Sequence, residues 1–175
     1  MKGRKPKPTH LRVVGGNAGR RPLNDREPAP PRARPSAPAN ISDGAREVWG
    51  QAVMILDEMG VLTAADVFAI ETLCEAIADH RAAGQTIKAC AERHKQDTLD
   101  GKAEPDNSPD GRYYRTVNQA GGVMWRAHPA LGLRADADRR IKAWCGEFGL
   151  TPSARTRIET DPEADKNHDK ASKYF

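Results

Sequence analysis

Two consecutive segments of the chain carry apolar residues at spacings of three and four, and this pattern constrains the fold more than any other feature. The first, "SDGAREVWGQAVMILDEMG", runs from Ser42, a good N-cap residue, to Gly60, which suits a helix C-terminus. The second begins at Thr63, which has the spacing of a capping box with Asp66, and continues to Gly84. So short a turn between two striped helices predicts a helical hairpin.

The two apolar stripes present more apolar surface than the two helices can bury against each other alone. They consist of Ala45, Val48, Trp49, Ala52, Ile55, Leu56 and Met59 in the first helix and Val67, Ile70, Leu73, Cys74 and Ile77 in the second. Surplus apolar surface of this kind indicates either a third helix or self-association.

A helical hairpin can also be a DNA-reading helix-turn-helix. A reading helix needs basic or amide side chains on its outer face to reach bases and phosphates. The second helix instead carries Glu71, Glu75 and Asp79 there, and its first base is Arg81. The sequence therefore favours two packed antiparallel helices, with the DNA-reading hairpin as the alternative.

The rest of the body is predicted to be mainly α-helical as well. Residues 95–112 form a polar, turn-rich loop, and the Tyr- and Val-rich residues 113–125 around Gly121 and Gly122 are compatible with a small β-hairpin. A third helix is expected from Pro129 to about Phe148. Thr151 and Pro152 then have the order of an N-cap and a first helical residue, which predicts a short fourth helix.

The first 41 residues differ sharply from this body. They contain ten Lys and Arg against two acids and eight of the thirteen prolines. The remaining residues carry 18 bases against 22 acids, so the net charge of +4 arises from the N-terminal arm. Because proline fixes φ and lacks an N–H donor, we expect the arm to be extended and mobile when free. The predicted domains are thus a disordered basic arm (1–41), a helical core (42–158) and a flexible polar tail (159–175).

Cations spread over an extended segment can neutralise phosphates and release counterions, so the arm favours nucleic acid as the partner. A solubilising tail or an RNA-binding tract is the alternative. No apolar run approaches the roughly 18 residues of a membrane span, and the first residues lack the apolar stretch expected of a secretory signal. We therefore expect no membrane partner. Three cysteines without a Cys-x-x-Cys pair fit a reducing cytosol.

No catalytic or cofactor motif is evident in the sequence. The "GGNAGRR" segment resembles a phosphate-binding loop, but Arg20 and Arg21 follow Gly19 where a Walker loop requires Lys and then Ser or Thr. Cys74, His80, Cys90 and His94 lack the paired short spacings of a zinc site. The sequence predicts a protein that is not an enzyme and needs neither a metal nor a cofactor.

Several motifs, taken in order, resemble the small subunit of the terminase of tailed bacteriophages. They are the opening "MKGRKPKPTHLRVVGGNAGRRPLN", then "AREVW", "GVLTAAD", "MWRAHPAL" and "RRIKAWCGEFGLTPSARTRI", of which "FGLTPSAR" is the most specific. The resemblance extends over nearly the whole chain and is weakest in the polar loop of residues 95–112.

The resemblance implies a non-enzymatic subunit that forms a homo-oligomeric ring in the cytoplasm of the infected host. Such a subunit binds double-stranded viral DNA near the packaging start site and regulates a large subunit that carries the ATPase and nuclease. The DNA-contact candidates are then Lys2, Arg4, Lys5, Lys7, Arg12, Arg20 and Arg21. The candidates for ring assembly are Val48, Trp49, Ile55, Leu56, Ile70, Leu73 and Ile77. The alternative function is a dimeric helix-turn-helix transcriptional regulator.

Overall fold

The structure, a computed structural model, describes residues 30–156 and, before them, residues 16, 22–23 and 28. In chain order its elements are α1 (Asp43–Glu58), α2 (Val67–Leu99), β1 (Tyr113–Val117), β2 (Val123–Ala127), α3 (Pro129–Glu147) and α4 (Pro152–Arg155). This part of the chain is mainly helical with a small two-stranded sheet, which confirms the predicted fold class.

The start of α1 and the turn into α2 follow the capping residues of the sequence. The hydroxyl of Ser42 accepts a hydrogen bond from the amide of Ala45, and Ser42 also donates to the carboxylate of Glu75 in α2 through its amide (2.8 Å) and its hydroxyl (2.7 Å). A 3₁₀ turn, Ala64–Asp66, leads into α2 with both bonds of the capping box between Thr63 and Asp66 present. The helical hairpin is confirmed, and Glu75 ties its two helices together.

The second helix is longer than the sequence suggested, because α2 continues past Gly84 to Leu99. A glycine inside a helix costs about 1 kcal/mol relative to alanine. Here Ala83 and Ile87 are buried against Ala130 of α3, and this apolar contact offsets the weak helix propensity of Gly84. Gly84 therefore lies inside the helix and does not end it.

The three long helices end in the same way, at a glycine with positive φ: Gly60, Gly101 and Gly149. In each, the amide of the residue after the glycine bonds a carbonyl five residues earlier: Val61 to Leu56, Lys102 to Asp97 and Leu150 to Cys145. This is the Schellman arrangement, which pairs carbonyls that the helix leaves open. Helix α3, predicted to end at about Phe148, ends at Glu147, with His128 as its N-cap and Pro129 at the first position.

The core is formed where α1, the first half of α2 and the end of α3 meet. Its largest fully buried side chains are Leu56, Ile70, Leu73 and Cys74, and Phe148 closes it from the C-terminal end of α3. A third helix thus covers part of the surplus apolar surface expected from the sequence. Two polar contacts join α2 and α3 outside this core: Arg140 to Asp79 (2.6 Å) and Arg134 to His80 (3.2 Å).

The β-hairpin predicted around Gly121 and Gly122 is present. Strands β1 and β2 are antiparallel, with Arg115 opposite Trp125 at their centre. The loop before β1 lies against α2, because Asn107 is buried and its carbonyl lies 2.6 Å from Nδ1 of His94. This loop holds the base of the hairpin on the second half of α2.

Candidate nucleic-acid and assembly surfaces

The DNA-contact candidates of the N-terminal arm lie outside the described residues. These are Lys2, Arg4, Lys5, Lys7, Arg12, Arg20 and Arg21. The structure describes the last part of the arm, residues 30–41.

Residues 30–41, which we call the strap, are docked on the helical hairpin. The indole N–H of Trp49 donates to the carbonyl of Pro35 (3.1 Å), and the amide of Ala64 donates to the carbonyl of Pro31 (2.9 Å). Arg34 pairs with Asp57 through Nε (2.6 Å). The extended conformation of the strap agrees with its prolines, but its docking differs from the expectation of a mobile arm.

The contacts of the strap differ in strength. The Arg34 side chain is 64% exposed, and exposed ion pairs of this kind contribute about 0–1 kcal/mol. Trp49 is 95% buried, so the bond to Pro35 satisfies an indole donor that would otherwise be unpaired in the core. Trp49 is therefore a stronger anchor than Arg34, and the chain enters the body beside the turn between α1 and α2.

Five of the seven assembly candidates contribute to the core of a single chain. Val48, Trp49, Leu56, Ile70 and Leu73 are each at most 5% exposed, so their burial requires no second copy. The other two reach the surface: Ile55 is 36% exposed, and Ile77 is half-buried beside the core.

Two apolar residues outside the stripes are more exposed than any of these candidates. Met54 in α1 is 52% exposed, and Phe68 in the first turn of α2 is 79% exposed. Both lie next to a stripe residue in sequence and off its face, because helical neighbours point about 100° apart. A large apolar residue displaced from an otherwise regular stripe was the signal in the sequence that could have identified them.

Helix α2 offers little support for interpreting the helical hairpin as a DNA-reading helix-turn-helix. The exposed residues before Arg81 are Phe68, Thr72 and Asp79, none of which is basic. Glu75 is occupied by its two bonds to Ser42. The outer face of α2 up to Arg81 therefore lacks the cations that a groove-reading helix needs.

Burial favours the neutral thiol at two of the cysteines, Cys74 and Cys145. Burial raises the pKa of Cys74 from 9.0 to about 11, with the charge of Glu75 as a smaller cause, and burial also raises the pKa of Cys145. A thiol is nucleophilic as the thiolate, so these side chains pack as small apolar groups at neutral pH.

Among the residues that the structure describes, no three or more His, Cys, Asp or Glu side chains are grouped so as to hold a metal ion. No helix in that part of the chain is both long and apolar enough to cross a membrane.

The comparison with protein families identifies the chain. The family described as phage terminase, small subunit, matches residues 45–165, which include the three long helices, the hairpin and α4 but not the arm. No curated protein and no solved structure matches the chain. The matched region covers more than half of the 175 residues and includes the "MWRAHPAL" and "FGLTPSAR" motifs. The chain therefore belongs to the small-subunit family of phage terminases.

Proposed function

We propose that the chain is a small terminase subunit that binds viral DNA near the packaging start site, assembles as a homo-oligomeric ring and regulates the large subunit. The observation that carries this proposal is the family match over residues 45–165, which supports a role in phage genome packaging. Small terminase subunits are generally non-catalytic, and the ATPase and nuclease activities reside in the large subunit. We propose the cytoplasm of the infected bacterium as the place of action.

The basic arm is the proposed DNA-binding element. Its charge of +8 over residues 1–41 suits the phosphate backbone, and the seven candidate cations from Lys2 to Arg21 lie before the strap. Because the strap docks through Trp49, the arm joins the body at the same point in every copy. In a ring, several arms then meet one duplex, and each arm already bound raises the effective concentration of the next.

The proposed assembly surface lies on the outer side of the helical hairpin. Support comes from Met54, Ile55 and Phe68, three large apolar side chains exposed in a single chain. Exposed apolar side chains of this size are typical of protein interfaces. Ile77 is the second original candidate that remains accessible, whereas the five buried candidates act on assembly only by maintaining the fold. We further propose that the segment of α4 or the C-terminal tail contacts the large subunit.

The test is the absolute mass of the purified protein by light scattering, with and without duplex DNA that carries the packaging start site. We expect one large, defined oligomer that binds the duplex with strong salt dependence. A dimer that prefers an unrelated operator-like sequence would support the alternative, a helix-turn-helix transcriptional regulator, and would contradict the packaging proposal.

Deletion of residues 1–29 tests the arm separately, because it removes the seven candidate cations and leaves the strap in place. We expect the oligomer mass to stay unchanged and DNA binding to be lost. A truncated protein that retains full affinity for the duplex would refute the assignment of DNA binding to the arm.

A further inference from the structure

The β-hairpin is a second basic element of the chain, and the proposed function does not use it. The sequence contains no acid between Asp110 and Asp136, whereas this stretch carries Arg112, Arg115, Arg126 and Arg134. The body as a whole has more acids than bases. Within this stretch Arg112 pairs with Asp110 and Arg115 with Glu104 of the preceding loop, so Arg126 is the hairpin cation that has no ion pair among the described residues.

The base of the hairpin is fixed to the body. On the outer side of β1, the amide of Ser108 bonds the carbonyl of Tyr113, and the amide of Arg115 bonds the carbonyl of Asp106, each at 2.8 Å. The amide of His128 bonds the carbonyl of Arg112 (2.8 Å), which ties the hairpin to the start of α3. These bonds hold the β-hairpin in one orientation relative to α2 and α3.

The outer part of the hairpin is open to solvent. Every residue from Val117 to Ala127 is exposed. The turn between the strands contains Ala120, Gly121 and Gly122, and the carboxamide oxygen of Asn118 accepts from the amides of Ala120 (3.0 Å) and Gly122 (2.7 Å). The shape of the tip is consequently fixed by Asn118, and Gln119 is the one long side chain that it carries.

The two faces of the ribbon offer different contacts. Register places Tyr113, Val117, Val123 and Trp125 on one face with Arg115, and these four apolar side chains are 46–58% exposed. Arg126 lies on the opposite face and is exposed, with no ion pair among the described residues. A two-stranded ribbon with cations and apolar side chains fits the width of the DNA major groove, where apolar groups contact thymine methyls.

We propose that this hairpin is a second DNA contact, a β-ribbon that enters a groove of duplex DNA with Arg126 on a phosphate and Trp125 near the bases or sugars. The inference rests on the proposed function only in taking duplex DNA as the ligand. The exposed cation Arg126, on a ribbon whose own sequence contains no acid, favours a polyanion as the ligand.

The test compares the full-length protein with Arg126→Gln and with the control Arg139→Gln. Arg139 lies in α3, its side chain is 72% exposed, and its loss changes the net charge by the same amount. Affinity for a labelled duplex is measured by fluorescence anisotropy over a series of salt concentrations. One lost phosphate contact lowers the slope of log K against log salt by about 0.9 per bound chain, which corresponds to roughly eightfold in affinity at 0.1 M salt. We expect this loss for Arg126→Gln and not for Arg139→Gln.

Tryptophan fluorescence reports whether the hairpin itself touches DNA. Trp49 is buried and Trp144 is half-buried, whereas Trp125 is 51% exposed. We expect duplex DNA to quench part of the emission, and we expect Trp125→Phe to remove that quenching. Unchanged quenching in Trp125→Phe would overturn the proposed contact.

The remaining outcomes separate this inference from the proposed function. If deletion of residues 1–29 abolishes DNA binding while Arg126→Gln behaves like Arg139→Gln, the hairpin contact is refuted and the arm assignment stands. If Arg126→Gln lowers the oligomer mass and leaves DNA affinity unchanged, the hairpin is a protein interface and the inference is equally refuted. Failure of the full-length protein to bind any duplex would contradict DNA binding in the proposed function as well.

Discussion

The contact between α2 and the loop before β1 can be tested with the substitution Gly111→Ala, which adds a single Cβ atom. Built on the backbone of Gly111, this Cβ lies 2.0 Å from the carbonyl oxygen of Ile87 and 2.7 Å from the amide nitrogen of Ala91. Both atoms are helix backbone, so no side-chain rotation relieves the overlap. Ile87 and Ala91 are four residues apart, the spacing of a helical hydrogen bond. The methyl group would therefore be forced between the partners of that bond.

The expected loss in the free energy of unfolding of Gly111→Ala has two parts. Gly111 has a φ of +68°, and alanine in the left-handed region costs roughly 1–2 kcal/mol. Overpacking against rigid atoms costs about 1–3 kcal/mol more. These two parts add to a loss of about 2–5 kcal/mol in the free energy of unfolding, of which about 1–3 kcal/mol arises from the contact with α2.

Gly101→Ala is the matched control. Gly101 has a similar φ of +77°, and nothing lies within 4 Å of an added Cβ. The free energy of unfolding of both variants is measured by urea denaturation followed by circular dichroism. Amide hydrogen exchange should show lost protection in residues 107–115 for Gly111→Ala, with protection retained at Ile70 and Leu73 in the core. Equal destabilisation by the two substitutions would refute the close approach of the loop to α2.

Two further predictions concern the buried side chains of α1 and α2. Trp49→Phe removes the bond to Pro35 and should cost about 1 kcal/mol in unfolding free energy. The strap should then be less firmly held, so trypsin should cleave after Arg32 faster than it does in the control Trp125→Phe. Equal cleavage rates in the two variants would contradict the anchoring role of Trp49. Burial raises the pKa of Cys74 from 9.0 to about 11, so the thiol ionises in the unfolded chain before it does in the folded one, and stability should fall as pH rises through this window. Urea denaturation at pH values on either side of this window measures the change in stability. The loss of stability should be smaller in Cys74→Ala than in the unsubstituted protein. The same pH dependence in the two proteins would exclude Cys74 as its cause.

Local signals in the sequence predicted the elements well. Ser42, Thr63 with Asp66, Pro129 and Thr151 each cap or start the helix expected of them. These signals act through bonds to neighbours within a few residues, and therefore the sequence pattern contains them.

The errors arose where distant residues decide the outcome. Gly84 does not end α2, because Ala83 and Ile87 pack on α3. The strap is docked through a bond between Trp49 and Pro35 that no local pattern indicates.

The assembly residues show a different limit. A stripe predicts which side chains are buried, but it does not distinguish burial within one chain from burial between copies. Trp49 and Leu56 belong to the core of one chain, whereas Met54 and Phe68, outside the stripe, remain exposed. Exposure after folding depends on how α3 covers the hairpin, and this is a property of the tertiary structure.

The length of α2 relates the two proposed DNA contacts to the geometry of the double helix. The strap reaches the body at Ala64, just before α2, and the loop below the hairpin sits at Ile87. At 1.5 Å per residue these two points lie about 35 Å apart along the helix axis. One turn of B-DNA has a length of about 34–36 Å. A duplex aligned with α2 would therefore present the same side to the strap, where the arm joins the body, and to the base of the hairpin, and we expect protection of its backbone to recur with the period of one turn.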